Sequence, residues 1–443
     1  MSSLGDASIE ILLLILNNVD QQSALYECAL VNKTFYAMAI PLLWREPGGA
    51  KRGHNFLPRL LQSLRQADKH CLHSTPLGDN IRTLNVSEST RLQDLHAVIN
   101  NAPLVEELAI DIKELNDTDM EQIALNCPQL KCLSFTNYFE VSDRFFDPLP
   151  HCANLRELNI LAIVHPDQPL ASLQHCPLEK LRLRSFGFDG DFTKKTFFGG
   201  IPTLTHLDMD YKTGGFLRYC QTLPSRTLFP VLTDLRIVKN HFGVYNDLVP
   251  FFKAHPLIRT LSLEGMNIDP AVMTSLATDL VHLQRLTLIK NGELPPFTQA
   301  FHRVEKLTLR GCHMNVDSTV RMATHFPNIH YLHIGKEIKN WRRIPSDPVI
   351  GEEFDNWQQV LSDFSDSESD LWEDNTESSI SQSDGPTIES LTKLTYLDFA
   401  SYDSVPNNLK ANLPRRMRGR LLREDLDHIR ETALGLVWID HGC

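Results

Sequence analysis

The nine cysteines include no Cys-x-x-Cys pair, and no four cysteines or histidines have the close spacing of a structural zinc site. The eighteen histidines are scattered without ligand spacing. There is no Gly-x-Ser-x-Gly, no His-Glu-x-x-His, no Walker-type glycine loop and no Gly-x-Gly-x-x-Gly following a strand. These absences argue against hydrolase, metalloenzyme and nucleotide-dependent chemistry. No catalytic residue, metal or cofactor is expected. A long apolar run is also missing from the start of the chain. Ile11–Leu16 is far too short to span a bilayer, and MSSLGDASIE has no basic stretch ahead of it. A soluble intracellular protein, in cytoplasm or nucleus, is expected. The odd and scattered cysteines fit a reducing compartment.

Positive charge is missing from one stretch. Between Ile344 and Thr392 there are thirteen acids and no Lys or Arg. Of 55 acids in the chain, 42 remain elsewhere, against 43 bases, so the net charge of −12 belongs to this stretch. A balanced body with one acidic segment gives no general case for nucleic acid or a membrane as partner. The segment includes SDFSDSESD and ESSISQSD and cannot bury enough apolar surface to offset ordering. Disorder is expected over about 346–388, with Trp357, Val360, Leu361 and Phe364 as a short element inside it.

What the chain has in abundance is a repeat. The pattern Leu-x-x-Leu-x-Leu returns as LVEELAI (104–110), LRELNI (155–160), LEKLRL (178–183), LTDLRI (232–237) and LQRLTL (283–288), with related copies between and beyond. The central leucines are Leu84, Leu108, Leu133, Leu158, Leu181, Leu207, Leu235, Leu261, Leu286, Leu307, Leu332 and Leu397. Their spacings are 24, 25, 25, 23, 26, 28, 26, 25, 21, 25 and then 65. A period of roughly 20–29 with this motif is the mark of leucine-rich repeats. Alternation within each copy predicts a strand with its leucines turned inward. The stretches between copies show helical spacing, as in Met120, Ile123 and Cys127, or Val272, Met273, Leu276 and Leu280, or Val316, Val320, Ala323 and Phe326. Pro often follows them and stops the helix (NAP, NCP, AHP, HFP). An α/β horseshoe solenoid follows, with parallel strands inside and helices outside. Its solenoid zone runs over 81–443, the spacing of 65 being one repeat plus the acidic insertion. Cys127, Cys152 and Cys176 precede repeat strands and are expected to fill turns as small apolar residues. The tail from about 411 to 443 is expected to cap the array, with Leu421, Leu422, Leu426 and Ile429 on one helical face.

Alternation also exposes a second set of residues on the concave face, the expected site for a protein substrate. They include Lys180, Arg182 and Arg184 on one strand, and His206, Asp208 and Asp210 on the next. Lys306 and Arg310, Tyr331, and Tyr396 follow further along. Three cations on one strand suit a carboxylate cluster or phosphate. Ion pairing with Asp208 and Asp210 is the other reading.

Ahead of the repeats lie a helical patch over 1–46 and a connector over 47–80 containing the helix-like FLPRLLQSLRQADKH. SIEILLLILNN (8–18) is apolar almost all round, in a unit of about 45 residues too small to hide it. Residues 4–45 resemble an F-box. Glu10-Ile11-Leu12, Ala29-Leu30-Val31-Asn32-Lys33-Thr34-Phe35-Tyr36 and Leu42-Leu43-Trp44-Arg45 carry the match. Ala7-Ser8 stand where Leu-Pro is usual, and Asn32 replaces a common Cys. The F-box followed by leucine-rich repeats is a known family pairing. The resemblance implies a three-helix F-box and a non-catalytic substrate receptor of an SCF-type cullin–RING ubiquitin ligase. Its F-box would dock on a Skp-family adaptor, and through it a cullin, using Ile9, Glu10, Ile11, Leu12, Ile15, Leu16, Leu25, Val31, Phe35 and Trp44. The alternative is a leucine-rich-repeat scaffold with no ubiquitin role.

Overall fold

The computed structural model describes residues 8–19, 21–47, 56–70, 76–87, 91–112, 114–140, 142, 144–163, 170–184, 200–210, 228–238, 248–313, 322–335, 396–399 and 420–422. Its strands are β1 (Thr83–Val86), β2 (Glu107–Asp111), β3 (Cys132–Glu140), β4 (Glu157–Ile163), β5 (Lys180–Arg184), β6 (His206–Asp210) and β7 (Asp234–Val238). They continue as β8 (Thr260–Glu264), β9 (Arg285–Glu293), β10 (Lys306–His313), β11 (Tyr331–Gly335), β12 (Tyr396–Phe399) and β13 (Arg420–Leu422). All belong to one sheet in strict sequence order. Strands β1 to β12 are parallel. Only β13 runs antiparallel, against β12.

The register follows the leucines. Leu84 is paired with Leu108, Leu108 with Leu133, and so on without a slip to Leu332 and Leu397. The twelve central leucines therefore form one row, and those from Leu84 to Leu332 are buried in a single continuous core. A one-residue slip would turn a whole strand's leucines to solvent, so burial enforces this pairing. The long spacing before Leu397 adds no strand among the described residues. β11 pairs directly with β12. The acidic stretch itself lies outside the described residues, as do Trp357, Val360, Leu361 and Phe364.

Helices fill the other half of several repeats. They are α5 (Leu92–Ile99), α6 (Asp117–Asn126), α7 (Leu248–Ala254), α8 (Pro270–Thr278) and the single turn α9 (Met322–His325). Each begins or ends for a local reason. Asn116 caps α6 by accepting from the amides of Thr118 and Asp119, while the Asp119 carboxylate accepts from the Asn116 amide. Asp269 caps α8, with Pro270 in its first turn. Met120, Ile123, Val272, Met273 and Leu276 are buried as their spacing predicts. Val316 and Val320 lie outside the described residues. Two repeats replace the helix by short 3-10 turns at Leu149–His151 and Leu170–His175.

Cys127, Cys152 and Cys176 are buried in the solenoid core, each free of a disulfide. Burial pushes their thiols up to about 12, 11 and 12 respectively. Thiolate is the reactive form, so these three should resist alkylation in the native chain at neutral pH. Mass mapping after brief iodoacetamide treatment checks this. Labelling at any of the three without denaturant would mean that this part of the core opens.

The N-terminal unit comprises α1 (Ile9–Asn17), α2 (Gln22–Ala29) and α3 (Lys33–Arg45). Ser8 caps α1 through a hydrogen bond from the Ile11 amide at 3.5 Å. Asn32 caps α3, its side chain accepting from the Phe35 amide at 2.9 Å. The helix over Phe56–His70, α4, stands where the connector was expected to hold one. Leu57, Leu60, Leu61 and Leu64 of α4 belong to the solenoid core, so this helix covers the open end before β1 rather than linking two bodies. At the far end the structure departs from expectation. Leu421 and Leu422 lie in β13, not on a helix, and pair with Leu397 and Tyr396. An edge strand with unpaired amides gains more from a ladder than from helix formation, which explains the difference. Leu426 and Ile429 lie outside the described residues.

A close approach fixes the first turn of the array. A Cβ on Gly78 would stand 1.6 Å from the Asn101 carbonyl oxygen, a backbone atom that cannot step aside. Gly78→Ala should therefore destabilise the N-terminal end of the solenoid by about 1–3 kcal/mol. Urea unfolding that leaves the variant within error of the parent would show that this contact yields freely.

Candidate functional site

Two surfaces qualify. The first is the N-terminal unit. Its small core consists of Leu12, Leu16, Leu25, Ala29, Phe35, Met38 and Ala39, a cluster separate from that of the solenoid. Seven residues cannot hide an all-round apolar helix. Ile11 is 53% exposed, Leu14 65%, Ile15 44% and Val31 64%, with Ile9, Leu30 and Tyr26 beside them in exposure. The F-box-derived residues thus divide. Ile9, Ile11, Ile15 and Val31 face solvent. Leu12, Leu16, Leu25 and Phe35 are turned into the unit's own core. α1 is apolar almost all round, so the sequence alone did not reveal which face α3 would cover. Trp44, partly buried, packs with Ile40 against the solenoid core. Glu10 is solvent-exposed in the first turn of α1. Hydrogen bonds from its own amide and from Ser8 hold its carboxyl below the ordinary carboxylate range.

This unit is anchored. The Arg82 amide, one residue before β1, donates to the Arg45 carbonyl at 2.9 Å. The Gln22 side chain donates to the Glu46 carbonyl at 2.6 Å, and Asn85 on β1 lies 3.4 Å from the Glu46 carboxylate. These bonds join the unit that carries the exposed apolar side chains to the start of the sheet.

The second surface is the open face of the sheet. Of the two readings of β5, ion pairing is the one found for Lys180 and Arg182, whose partners lie on neighbouring strands. Lys180 Nζ is 3.2 Å from Glu157 on β4. Arg182 Nε is 2.9 Å from Asp208 Oδ2 on β6. Asp208 is shared: Arg236 on β7 reaches its Oδ1 at 3.2 Å and Glu264 on β8 at 3.3 Å. His206 Nε2 lies 3.4 Å from Asp234. The result is a charge-alternating band across β4 to β8, built by register: Arg182 faces Asp208, and Asp208 faces Arg236. Arg184 stands apart, its Nε buried and without a hydrogen-bond partner among the described residues. Asp210 sits at the end of β6, its side chain outside the described residues. A second band runs along the position just before each strand. Lys131 donates to Glu106 at 2.7 Å, Arg82 lies 3.7 Å from the same carboxylate, and Arg156 pairs with Glu179 at 3.5 Å. The hydrogen bond from Lys131 chiefly, then the nearby positive charges, hold the Glu106 carboxyl below its usual range. Exposed pairs of this kind contribute only about 0.2–1 kcal/mol each. Their main effect here is to leave little free charge for a ligand.

Further along, the face changes character. Lys306 on β10 lies over the Tyr331 ring, 4.3 Å from its centroid. Arg310 is exposed at the other end of the β10 open face, and Arg285 on β9 is the direct cross-strand neighbour of Lys306. Arg285 was not singled out from sequence, although it occupies the same strand position as Lys180, His206 and Lys306 and could have been found by that register. Tyr396 is in β12, its side chain outside the described residues. Among those residues, no group of His, Cys, Asp and Glu is arranged to hold a metal, and no helix is long and apolar enough to cross a membrane.

Fold and register together define the class: an α/β solenoid of the leucine-rich-repeat type. No protein-family model and no curated protein sequence matches the chain. Among solved structures it is similar to a chain of a TLR13–ssRNA13 complex, with 13% identity and a TM-score of 0.36. That likeness covers 59% of this chain and 37% of the other. It is also similar to a chain of a Rad7 and Elc1 complex in yeast, with 16% identity and a TM-score of 0.31, over 76% of this chain and 87% of that one. The fold assignment rests on the leucine row, not on these likenesses.

Proposed function

We propose that this chain is the substrate-recognition subunit of an SCF-type cullin–RING ubiquitin ligase, acting in cytoplasm or nucleus. In this reading α1 to α3 form the F-box and dock on a Skp-family adaptor, and the sheet face holds a protein substrate. The chain carries no catalytic group of its own. It works by raising the effective concentration of substrate near the ubiquitin carrier. One observation supports this reading above the rest. The apolar surface of Ile9, Ile11, Leu14, Ile15 and Val31 lies on a small unit that is hydrogen-bonded to the start of the solenoid yet leaves these side chains in water. Exposed apolar surface of this kind marks a partner site. A simple end cap would turn its apolar face into the solenoid, as α4 does. Co-expression with a Skp-family adaptor tests the reading directly. Stoichiometric recovery of the pair is the expected result; recovery of the chain alone, with α1 to α3 folded, would favour the scaffold reading.

A further inference from the structure

We propose that the stretch EEFDNWQQVLSDF (352–364) of this chain docks, through Trp357, Leu361 and Phe364, into an apolar groove between α8 and the turn before β10. The proposal does not depend on the ligase reading.

The groove follows from a short repeat. Leu286 and Leu307 are 21 residues apart, where the spacings on either side are 25. Residues 294–305, between β9 and β10, contain no helix. Pro295 and Pro296 oppose one, because neither has an amide hydrogen to donate and each disfavours helical geometry in the residue before it. Leu294, Phe297 and Phe301 are buried and fill part of the space that a helix would take. Beside α8 a cavity of about 230 Å³ remains, lined chiefly by Leu276, Ala277, Val281, Phe301, Arg303 and Val304. Val281 is 52% exposed, and Leu257 and Val231 are exposed in the turns ahead of β8 and β7. Apolar side chains thus meet water at three successive turns along this edge of the array.

Charge narrows the choice of occupant. Arg303 Nη1 donates to His282 Nδ1 at 2.9 Å, and Arg303 makes no ion pair among the described residues. Asp279, at the end of α8, already accepts from the Ser275 hydroxyl at 2.5 Å. The groove therefore pairs an apolar floor with an uncompensated guanidinium, which suits an apolar segment with acids beside it. The stretch 352–364 has that chemistry. Trp357, Val360, Leu361 and Phe364 recur at intervals of three and four, the anchor spacing of a helix laid in a groove. Glu352, Glu353, Asp355 and Asp363 accompany them, with no base. The acidic, serine-rich sequence around this stripe offers it little apolar surface to be buried against.

Tethering favours this segment over a separate protein. β11 ends at Gly335, and residues 336–356 separate that end from Trp357. At about 3.3 Å per residue such a length reaches about 70 Å. Strands β9 and β11 are two strand spacings apart, about 10 Å. A tether of that kind holds the segment at roughly millimolar effective concentration, so weak contacts suffice.

The test is amide exchange of the full chain, read by mass spectrometry. Peptides covering 352–364 should exchange about tenfold or more slowly than a synthetic peptide of the same sequence. Val281→Asp, at an exposed side chain, and Trp357→Ala should each abolish that protection while leaving β2 and β3 as in the parent. Arg303→Ala should weaken it, and so should salt. Arg310→Ala, on the open face, should leave it unchanged. Exchange of 352–364 at the free-peptide rate in the parent would overturn the proposal, as would protection that survives Val281→Asp. Protection lost with Arg310→Ala would place the segment on the open face, and protection that falls on dilution would make the contact one between two copies. Either result also overturns it.

Discussion

An Ile11→Asp/Ile15→Asp double variant is expected to lose recovery with a Skp-family adaptor completely while remaining folded. Both side chains are about half in water, so charge at these positions costs the free chain little. In a complex the same carboxylates would be desolvated against an apolar partner. An unpaired buried charge costs several kcal/mol, so two of them are expected to abolish association. The sharper control is Leu12→Asp. Leu12 is 2% exposed in the unit's own seven-residue core, so that variant should melt α1 to α3 and show it by circular dichroism. Binding lost in the double variant with helical signal retained identifies a docking surface. Adaptor recovery undiminished by the double variant would remove α1 from the interface, and with it the main support for the ligase reading.

Leu261→Ala is expected to destabilise the solenoid by about 2–5 kcal/mol in urea unfolding. Leu261 is fully buried at the centre of the leucine row, between Leu235 and Leu286. Close-packed neighbours on both strands cannot collapse into the vacated space without breaking their own register. Each repeat contacts mainly its neighbours, so the damage should be local first. Amide exchange should rise on β7, β8 and β9 before β2 and β3 respond. The adjacent Ser262→Ala, on the open face, should stay within about 0.5 kcal/mol of the parent. A uniform rise in exchange over the whole sheet would mean that the array unfolds as one block.

Much of this architecture is legible in the residues themselves. Alternation within each copy states which side chains of a strand are buried, and recurrence about every 25 positions states that the strands stack in parallel. Together they place all twelve central leucines in one row, including Leu397 beyond the long gap. The helix Phe56–His70 and the stripes of α6 and α8 follow from spacing alone. So does the burial of Cys127, Cys152 and Cys176.

Other features had no local signal. α1 has apolar residues on nearly every side, so packing against α2 and α3 decided that Leu12 and Leu16 go in while Ile11 and Ile15 stay out. Leu421 and Leu422 suit a helix or a strand, and the unpaired edge of β12 selected the strand. The charge map of the open face is the clearest case. Lys180, Arg182, Arg285 and Arg310 look alike in sequence, each a cation at an outward strand position. Their difference comes from side chains 21 to 26 residues away, brought opposite by register: Glu157 and Asp208 for the first two, Lys306 and Ile289 for the others. The sequence by itself determined a leucine-rich solenoid with a polar face. Tertiary structure decided where on that face charge is left unpaired, because pairing depends on which residues the neighbouring strands bring within about 4 Å.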